Sequence, residues 1–503
     1  MQEIKIKTAL VSAYHKDDQL VELAKALQNN DITIYASGGT HKFLSSQGIN
    51  TVPLESLTDL NQMLDGRVKT LHPKVFGGIL ARRETDEQEI QEYGLVLFDL
   101  VVVDLYPFGE KPDLDEAVEL IDIGGSALIR AAAKNFKYVL VVPDRKYWDW
   151  LVQDVLVKRN GVVSFEERKR MAAKTFYFSS FYDMQIAKYL WEGDEIPEPV
   201  TFGAKQVRKL RYGENPHQQG WLAINESLPI TQLQGKELSY NNLLDVRAAL
   251  TLIKDFPEKV TCAIFKHTNP CGVAIADTPE QALEMAWASD PESAFGGIII
   301  LNSEATEGVI EFLSDKFFEI LLVPDINEDL LSKLKKQRIV VKYNIEEFDE
   351  ENIILSWGDG LLIQQNDNII VDGEIEWIGG EPLQSQIEDA LFAWRVVKHL
   401  KSNAIAIAKN RQLIGAGVGQ PSRVRAVQHA IANAKKFGFG LSGSVLASDA
   451  FFPFPDSVEE AHKHGITVII QPGGSRNDKQ VFEKAQQLNI KMGITGTRHF
   501  KHL

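Results

Sequence analysis

Cysteine is almost missing, with two residues in a chain of 503. Two thiols cannot build a disulfide framework, and the shortage fits a reducing cytoplasm. Long apolar runs are missing too. The longest, such as LVLFDLVVV (95–103), are short and broken by charge, so no membrane span or membrane partner is expected. The opening stretch MQEIKIKTALVSAYHKDD lacks the apolar core of a signal peptide. Positive charge is in deficit: 54 Lys and Arg stand against 69 Asp and Glu, for a net charge of −15. That acidity argues against nucleic-acid binding. It leaves room for an anionic small substrate, because a local basic pocket overrides the global field. What remains is the composition of a globular enzyme, 44% apolar and 24% charged, long enough for two or three domains.

Roughly the first 145 residues alternate strand and helix signals. Strand-like IKTALVSAY (6–14) precedes LVELAKAL (20–27), where Leu20, Leu23, Ala24 and Leu27 share a helical face. ITIYASGGT (32–40) runs into a glycine turn and the helix HKFLSSQG (41–48). Further strands are expected in VFGGIL (75–80), DLVVVDLY (99–106) and KYVLVVPD (137–144), with a helix over ALIRAAAKN (127–135). Strands separated by helices predict an α/β, doubly wound parallel sheet. A long helix is expected over 164–192, and the acidic, proline-rich GDEIPEPV (193–200) marks a boundary, giving domains 1–196 and 197–503. The second domain echoes itself. AIFKHTNPCGVAIA (263–276) resembles AIAIAKNRQLIGAGVG (404–419), and ASDPESAFGG (288–297) resembles ASDAFFPFPD (447–456). That order predicts two tandem α/β units.

Four stretches of the first domain can carry chemistry. Ser37-Gly38-Gly39-Thr40 follows a strand and opens a helix, a setting for a phosphate or for a plain tight turn. It matches neither a Walker A loop nor GxGxxG. DGRVKTLHP (65–73) gathers Arg67, Lys69, Thr70 and His72 in what reads as a loop, either solvated or fit to bind phosphate and polarise a carbonyl. DLYPF (104–108) puts Tyr106 at a strand's C-terminal end, where open α/β sheets bind ligands. IDIGGSALIRAAAKN (121–135) places Asp122 before a second paired-glycine turn and Lys134 about three helical turns on. All four flank strands, so their convergence at one sheet edge is expected.

In the second domain the sharpest pair is Lys266-His267, at the end of an apolar run. Adjacent side chains on a strand point opposite ways, so both reach one ligand only where the strand breaks, and Pro270 is expected to supply that break. A neutral imidazole can accept a proton while the ammonium stabilises an oxyanion. Strand-end capping is the plain alternative. Zinc is not expected: Pro270-Cys271 begins a deaminase-like PCxxC, but residue 274 is alanine.

In their order, SGGT, MLDGRVKTLHPKVFGGILARR, DLYPF, IDIGG with RAAAKN, LRYGENPHQ, KHTNPCG, SDPESAFGG and SDAFFPFPD resemble the bifunctional purine biosynthesis family, which joins AICAR formyltransferase to IMP cyclohydrolase. The resemblance covers essentially the whole chain. It implies a methylglyoxal-synthase-like first domain, tandem cytidine-deaminase-like units without zinc, and a homodimer. It implies formyl transfer from the co-substrate 10-formyltetrahydrofolate to AICAR, then closure of formyl-AICAR to IMP, with no metal. Lys266 and His267 would serve transfer; Lys69, Tyr106, Asp122 and Lys134 would serve closure. Lys16, Ser37, Gly38, Gly39, Thr40, Arg67 and Thr70 would hold phosphate and ribose. Arg211, Tyr212, Asn242, Asp325, Asn403, Arg423, Phe451, Phe452, Arg498, Phe500 and His502 would contact AICAR or folate. The chain departs from the family pattern in places. SAYHKDDQ (12–19) stands for SVSDKTG and keeps Lys16, Asp104 replaces the asparagine of NLYPF, and Pro421 interrupts GQPSR. These changes leave open a chain that has kept only one of the two activities.

Overall fold

The computed structural model describes residues 3–58, 64, 67–108, 113–193, 195–225, 227–350 and 352–502. The chain divides into two compact units, Met1–Lys205 and Gln206–Leu503.

In the first unit β1 (Thr8–Ala13), β2 (Thr33–Ala36), β3 (Val52–Pro53), β4 (Leu100–Asp104) and β5 (Leu140–Val142) form a sheet ordered β3-β2-β1-β4-β5. All its pairings are parallel. Every residue of β4 is buried, which is why LVVVD shows no polar alternation. The principal helices are α1 (Asp18–Gln28), α2 (Gly38–Ser46), α3 (Pro73–Leu80), α4 (Ile123–Lys134) and α5 (Phe165–Leu190). A capping box starts α5: Ser164 Oγ accepts from the Glu167 N–H, and the Glu167 carboxylate accepts from the Ser164 N–H.

The expectation of a strand over VFGGIL is wrong; it is helix α3. His72 caps it by accepting from the Lys74 N–H, and Pro73 occupies its first turn. Val75 and Ile79, four residues apart, are fully buried. A short apolar run does not by its period separate buried strand from buried helix. The glycines permit close packing, since a Cβ on Gly78 would lie 2.1 Å from the Val96 carbonyl oxygen. The paired glycines of SGGT and IDIGG are likewise not turns. They form the first turns of α2 and α4, after the capping positions Ser37 and Asp122.

Strand order reverses between β1 and β4, whose last residues, Ala13 and Asp104, are register partners. In an open α/β sheet that reversal opens a crevice beyond the strands' carboxyl ends.

The second unit contains a twelve-stranded sheet. Its strands are β6 (Ile230–Gln234), β7 (Thr261–Lys266), β8 (Asn269–Ile275), β9 (Ile298–Leu301), β10 (Ile320–Val323), β11 (Ile339–Tyr343), β12 (Glu376–Ile378), β13 (Ile405–Lys409), β14 (Gln412–Gly417), β15 (Val445–Ser448), β16 (Val468–Gln471) and β17 (Lys491–Ile494). The order is β6-β11-β10-β9-β7-β8-β14-β13-β15-β16-β17-β12. It is two copies of one pattern, back to back. In each copy a hairpin is followed by three strands, the first antiparallel to the hairpin and the next two parallel. The copies join where Ala274 of β8 pairs with Gln412 of β14. The internal echo in the sequence is thus a repeat in the fold. Helices α6 (Tyr240–Lys254) and α8 (Gln384–Val397) pack on the first hairpin strand of each copy. The corresponding α7 (Pro279–Ser289) and α9 (Arg423–Lys436) pack on the second.

Candidate active sites

The first site lies at the crevice beyond β1 and β4. Thr40 Oγ1 accepts from the Ala13 N–H at 3.1 Å, and Ser37 Oγ lies 3.1 Å from Ser12 Oγ. These contacts tie the start of α2 to the end of β1. The Lys16 stem reaches over the same turn, with Cε 3.8 Å from a Cβ built on Gly39. Its ammonium donates to the carbonyls of Ala13 and Tyr14. Burial lowers the Lys16 pKa, Asp104 opposes that shift and Lys69 adds to it, so the three charges share one field.

Lys69 Nζ lies 3.4 Å from Tyr106 Oη. Asp122 Oδ1 accepts from the Gly125 N–H at 2.6 Å, and the Asp122 N–H donates to Tyr182 Oη of α5 at 3.0 Å. Burial pushes the Asp122 carboxyl above its ordinary pKa, against the Gly125 and Tyr106 N–H groups and the Lys69 ammonium. Thr70 closes on the same turn, with Oγ1 2.7 Å from a Cβ built on Gly124. The first turn of α2, two ammonium groups, a phenol and a shielded carboxyl thus share one crevice.

The second site is the β7–β8 hairpin. Its two-residue loop is His267-Thr268, with φ of +52° and +64°. Two positive φ values in a two-residue hairpin loop make a type I′ turn, whose usual residues are Asn and Gly. Pro270 is not the break, as expected from the sequence; it lies within β8, opposite Phe265 at a register shift. Asp245 of α6 holds the turn, its Oδ1 accepting from the Thr268 N–H at 2.6 Å. Burial raises the Asp245 pKa, while that N–H, His267 and Lys266 oppose the rise. Lys266 Nζ donates to the carbonyls of Phe295 and Gly296, at 3.2 and 3.0 Å. His267 is exposed.

The second copy repeats this scaffold. Asn410 and Arg411 have φ of +53° and +57°, and Asp389 of α8 accepts from both N–H groups. Asparagine stands there in place of histidine, so only the first copy offers an imidazole.

A family model described as the AICARFT/IMPCHase bienzyme matches residues 132–433, and one for an MGS-like domain matches 19–127. A protein of Caldicellulosiruptor saccharolyticus called bifunctional purine biosynthesis protein PurH is 42% identical, over 99% of this chain and 100% of its own. Proteins of the same name from Aquifex aeolicus and Bacteroides thetaiotaomicron are 42% and 44% identical, over 98% and 99% of this chain and 100% and 99% of their own. The chain belongs to the AICARFT/IMPCHase bienzyme family. It is a bifunctional enzyme of purine biosynthesis, an AICAR formyltransferase and IMP cyclohydrolase.

Several residues expected from the bienzyme pattern gather in two further places. Arg423 donates to Asn403 Oδ1 at 2.7 Å and pairs with Asp449, and both members of that pair are buried. Ser402 exchanges hydrogen bonds with Lys501, which brings the closing segment with Arg498, Phe500 and His502 alongside Asn403. The Arg498 guanidinium lies 4.5 Å from the centroid of the exposed Phe500 ring, and His502 lies 5.8 Å from it. Arg211 lies over the Tyr212 ring on a loop fixed to α6 through Asn241 Nδ2 and the Glu214 carbonyl.

Others do not join a site. Lys134 is the last residue of α4 and Asp122 caps its first turn, so about 18 Å of helix separates them. The exposed Arg67 pairs with Glu119. Asn242 is buried and its Oδ1 caps α6 by accepting from Ser239. Phe452 is fully buried, while Phe451 is partly exposed. Asp325 forms an exposed pair with Lys342 at 2.8 Å. The sequence reading missed Asp245, Asp449 and Glu55. The Glu55 Oε1 atom lies 2.8 Å from a Cβ built on Gly38, and its buried Oε2 has no hydrogen-bond partner. The mirrored Asp245 and Asp389 were a usable signal. Asp245 lies 23 residues before Thr268, which it holds, and Asp389 lies 21 and 22 before Asn410 and Arg411, a near-match visible only once the repeat is aligned.

Proposed function

We propose that the second unit transfers the formyl group and the first closes the ring. In transfer, the 5-amino nitrogen of AICAR attacks the formyl carbon of 10-formyltetrahydrofolate. His267 takes the amine proton, and the Lys266 ammonium stabilises the tetrahedral oxyanion. Collapse breaks the bond to the folate nitrogen, which leaves with a proton. The AICAR amine is a weak nucleophile because its lone pair is delocalised, so base and electrophile must act together. The observation that carries this reading is the His267-Thr268 turn. It holds an imidazole in a left-handed backbone conformation beside Lys266, with Asp245 beneath both. Strained backbone of this kind concentrates at functional sites.

In closure, the carboxamide nitrogen attacks the adjacent formyl carbon and water leaves. Proximity within one molecule supplies much of the acceleration. Lys69 and Tyr106 polarise the formyl oxygen, and Asp122, protonated more readily than an ordinary carboxyl, exchanges the proton that water departure needs. Ser37, Gly38, Gly39, Thr40 and Lys16 take the phosphate. The two copies of the second unit are read as cytidine-deaminase-like folds working without zinc, in a cytoplasmic homodimer. The test is to supply AICAR and 10-formyltetrahydrofolate, then formyl-AICAR alone, and to follow IMP. IMP from both supports the reading, and closure no faster than the spontaneous rate would remove the first unit's role.

A further inference from the structure

The two departures from the family pattern in the first unit touch each other. Asp104, 8% exposed, ends β4 and gathers the backbone just past β1. Its carbonyl accepts from the Tyr14 N–H at 3.0 Å, and its Oδ2 accepts from the His15 N–H at 2.8 Å. The same oxygen lies 2.9 Å from His15 Nδ1. Arg145 reaches toward it at 3.9 Å and is itself held by Asp17 and Gln19. Asp104 thus holds Tyr14 through its carbonyl and His15 through its carboxylate, and Asp17 is tied to it through Arg145, so Lys16 is flanked on both sides by held residues. Two residues of this loop serve the crevice. The Tyr14 ring meets the Tyr106 ring edge-on at 5.0 Å, and Lys16 lies over the first turn of α2.

We propose that His15 and Asp104 form a positioning couple for ring closure. Asp104 sets the loop that aims Lys16 and supports Tyr106, and the His15 ring covers the carboxylate so that it does not repel the substrate phosphate. The couple rests on the reading of the first unit as the cyclohydrolase. Its charged surroundings are Lys16 and Asp17 on the loop, Lys69, Asp122 and Arg145. An uncovered carboxylate in a partly buried crevice acts on a phosphate at close range with little screening.

The test is a double-mutant cycle on closure of formyl-AICAR by the full chain, with formyl transfer in the same preparation as a control for folding. His15→Ala should raise KM about tenfold and leave kcat within about twofold, since it exposes charge without removing a reacting group. Adding Asp104→Asn should return KM to within about threefold of the unaltered chain, a coupling that independent sites do not show. His15→Asn keeps a donor for Asp104 and should behave almost as the unaltered chain. An unchanged KM in His15→Ala, or a double variant no better than the single, overturns the couple. So does a His15→Asn variant as impaired as His15→Ala. If the unaltered chain does not close formyl-AICAR at all, the reading of the first unit fails and takes the couple with it.

Discussion

Replacing His267-Thr268 with Asn-Gly should make the second unit more stable and inactive in formyl transfer. Both residues sit in the left-handed region, at φ of +52° and +64°. That region costs a non-glycine residue roughly 1–2 kcal/mol, and a β-branched threonine sits at the costly end. Thr268→Gly removes the strain but adds about 0.5–1 kcal/mol of chain entropy to be lost on folding. It also gives up the bond from Thr268 Oγ1 to the His267 carbonyl, worth about 0.5 kcal/mol at a partly exposed site. The bond to Asp245 comes from the backbone N–H and survives. His267→Asn adds a few tenths, because asparagine visits this region more readily. The net gain is about 0.5–1 kcal/mol. Urea unfolding followed by tryptophan fluorescence reads it as a higher midpoint for the second unit. The mirrored change Arg411→Gly creates Asn-Gly in the other copy and should stabilise similarly while sparing formyl transfer. A lower midpoint for His267→Asn/Thr268→Gly, or transfer retained in it, would refute the reasoning.

Asp449→Ala should destabilise the second unit by about 3–5 kcal/mol, because it strands the buried Arg423 guanidinium; the urea midpoint checks this. Asp122 binds its proton more readily folded than unfolded. It therefore adds stability at low pH and loses that contribution as pH rises from about 4 through its raised folded value. Asp122→Asn should accordingly melt higher than the unaltered chain at pH 7, lose that advantage below about pH 4, and close formyl-AICAR poorly. Gly124→Ala should cost about 1–3 kcal/mol and slow closure, since its methyl would meet Thr70 Oγ1 at 2.7 Å; thermal unfolding and IMP formation report the two effects separately.

The parallel sheet was legible because β4 is apolar up to its last residue, Asp104, and α1 keeps a clean apolar face. The repeat was legible because each hairpin carries a lysine, a polar pair and at least one glycine in the same order. VFGGIL misled because six apolar residues fit either period, and the contact that decides, Gly78 on Val96, is long-range. The hairpin break was assigned to proline, the obvious breaker. The actual turn uses His and Thr in a conformation that neither prefers, held by Asp245 from another element. Tertiary bonds override local propensity there, which is why the sequence could pick out Lys266 and His267 but not the turn that presents them. Asn242 and Phe452 show the reverse case. Their motifs pointed to a ligand, and burial gave one to a helix cap and the other to the core.

Two separate sites on one chain is the central claim, and complementation between inactive variants tests it most directly. Lys266→Ala should make no IMP from AICAR and 10-formyltetrahydrofolate, yet still close formyl-AICAR. Lys69→Ala should formylate AICAR and accumulate formyl-AICAR. An equal mixture of the two proteins should restore IMP production from AICAR. A mixture that makes none, or a single variant that loses both steps, would contradict the account.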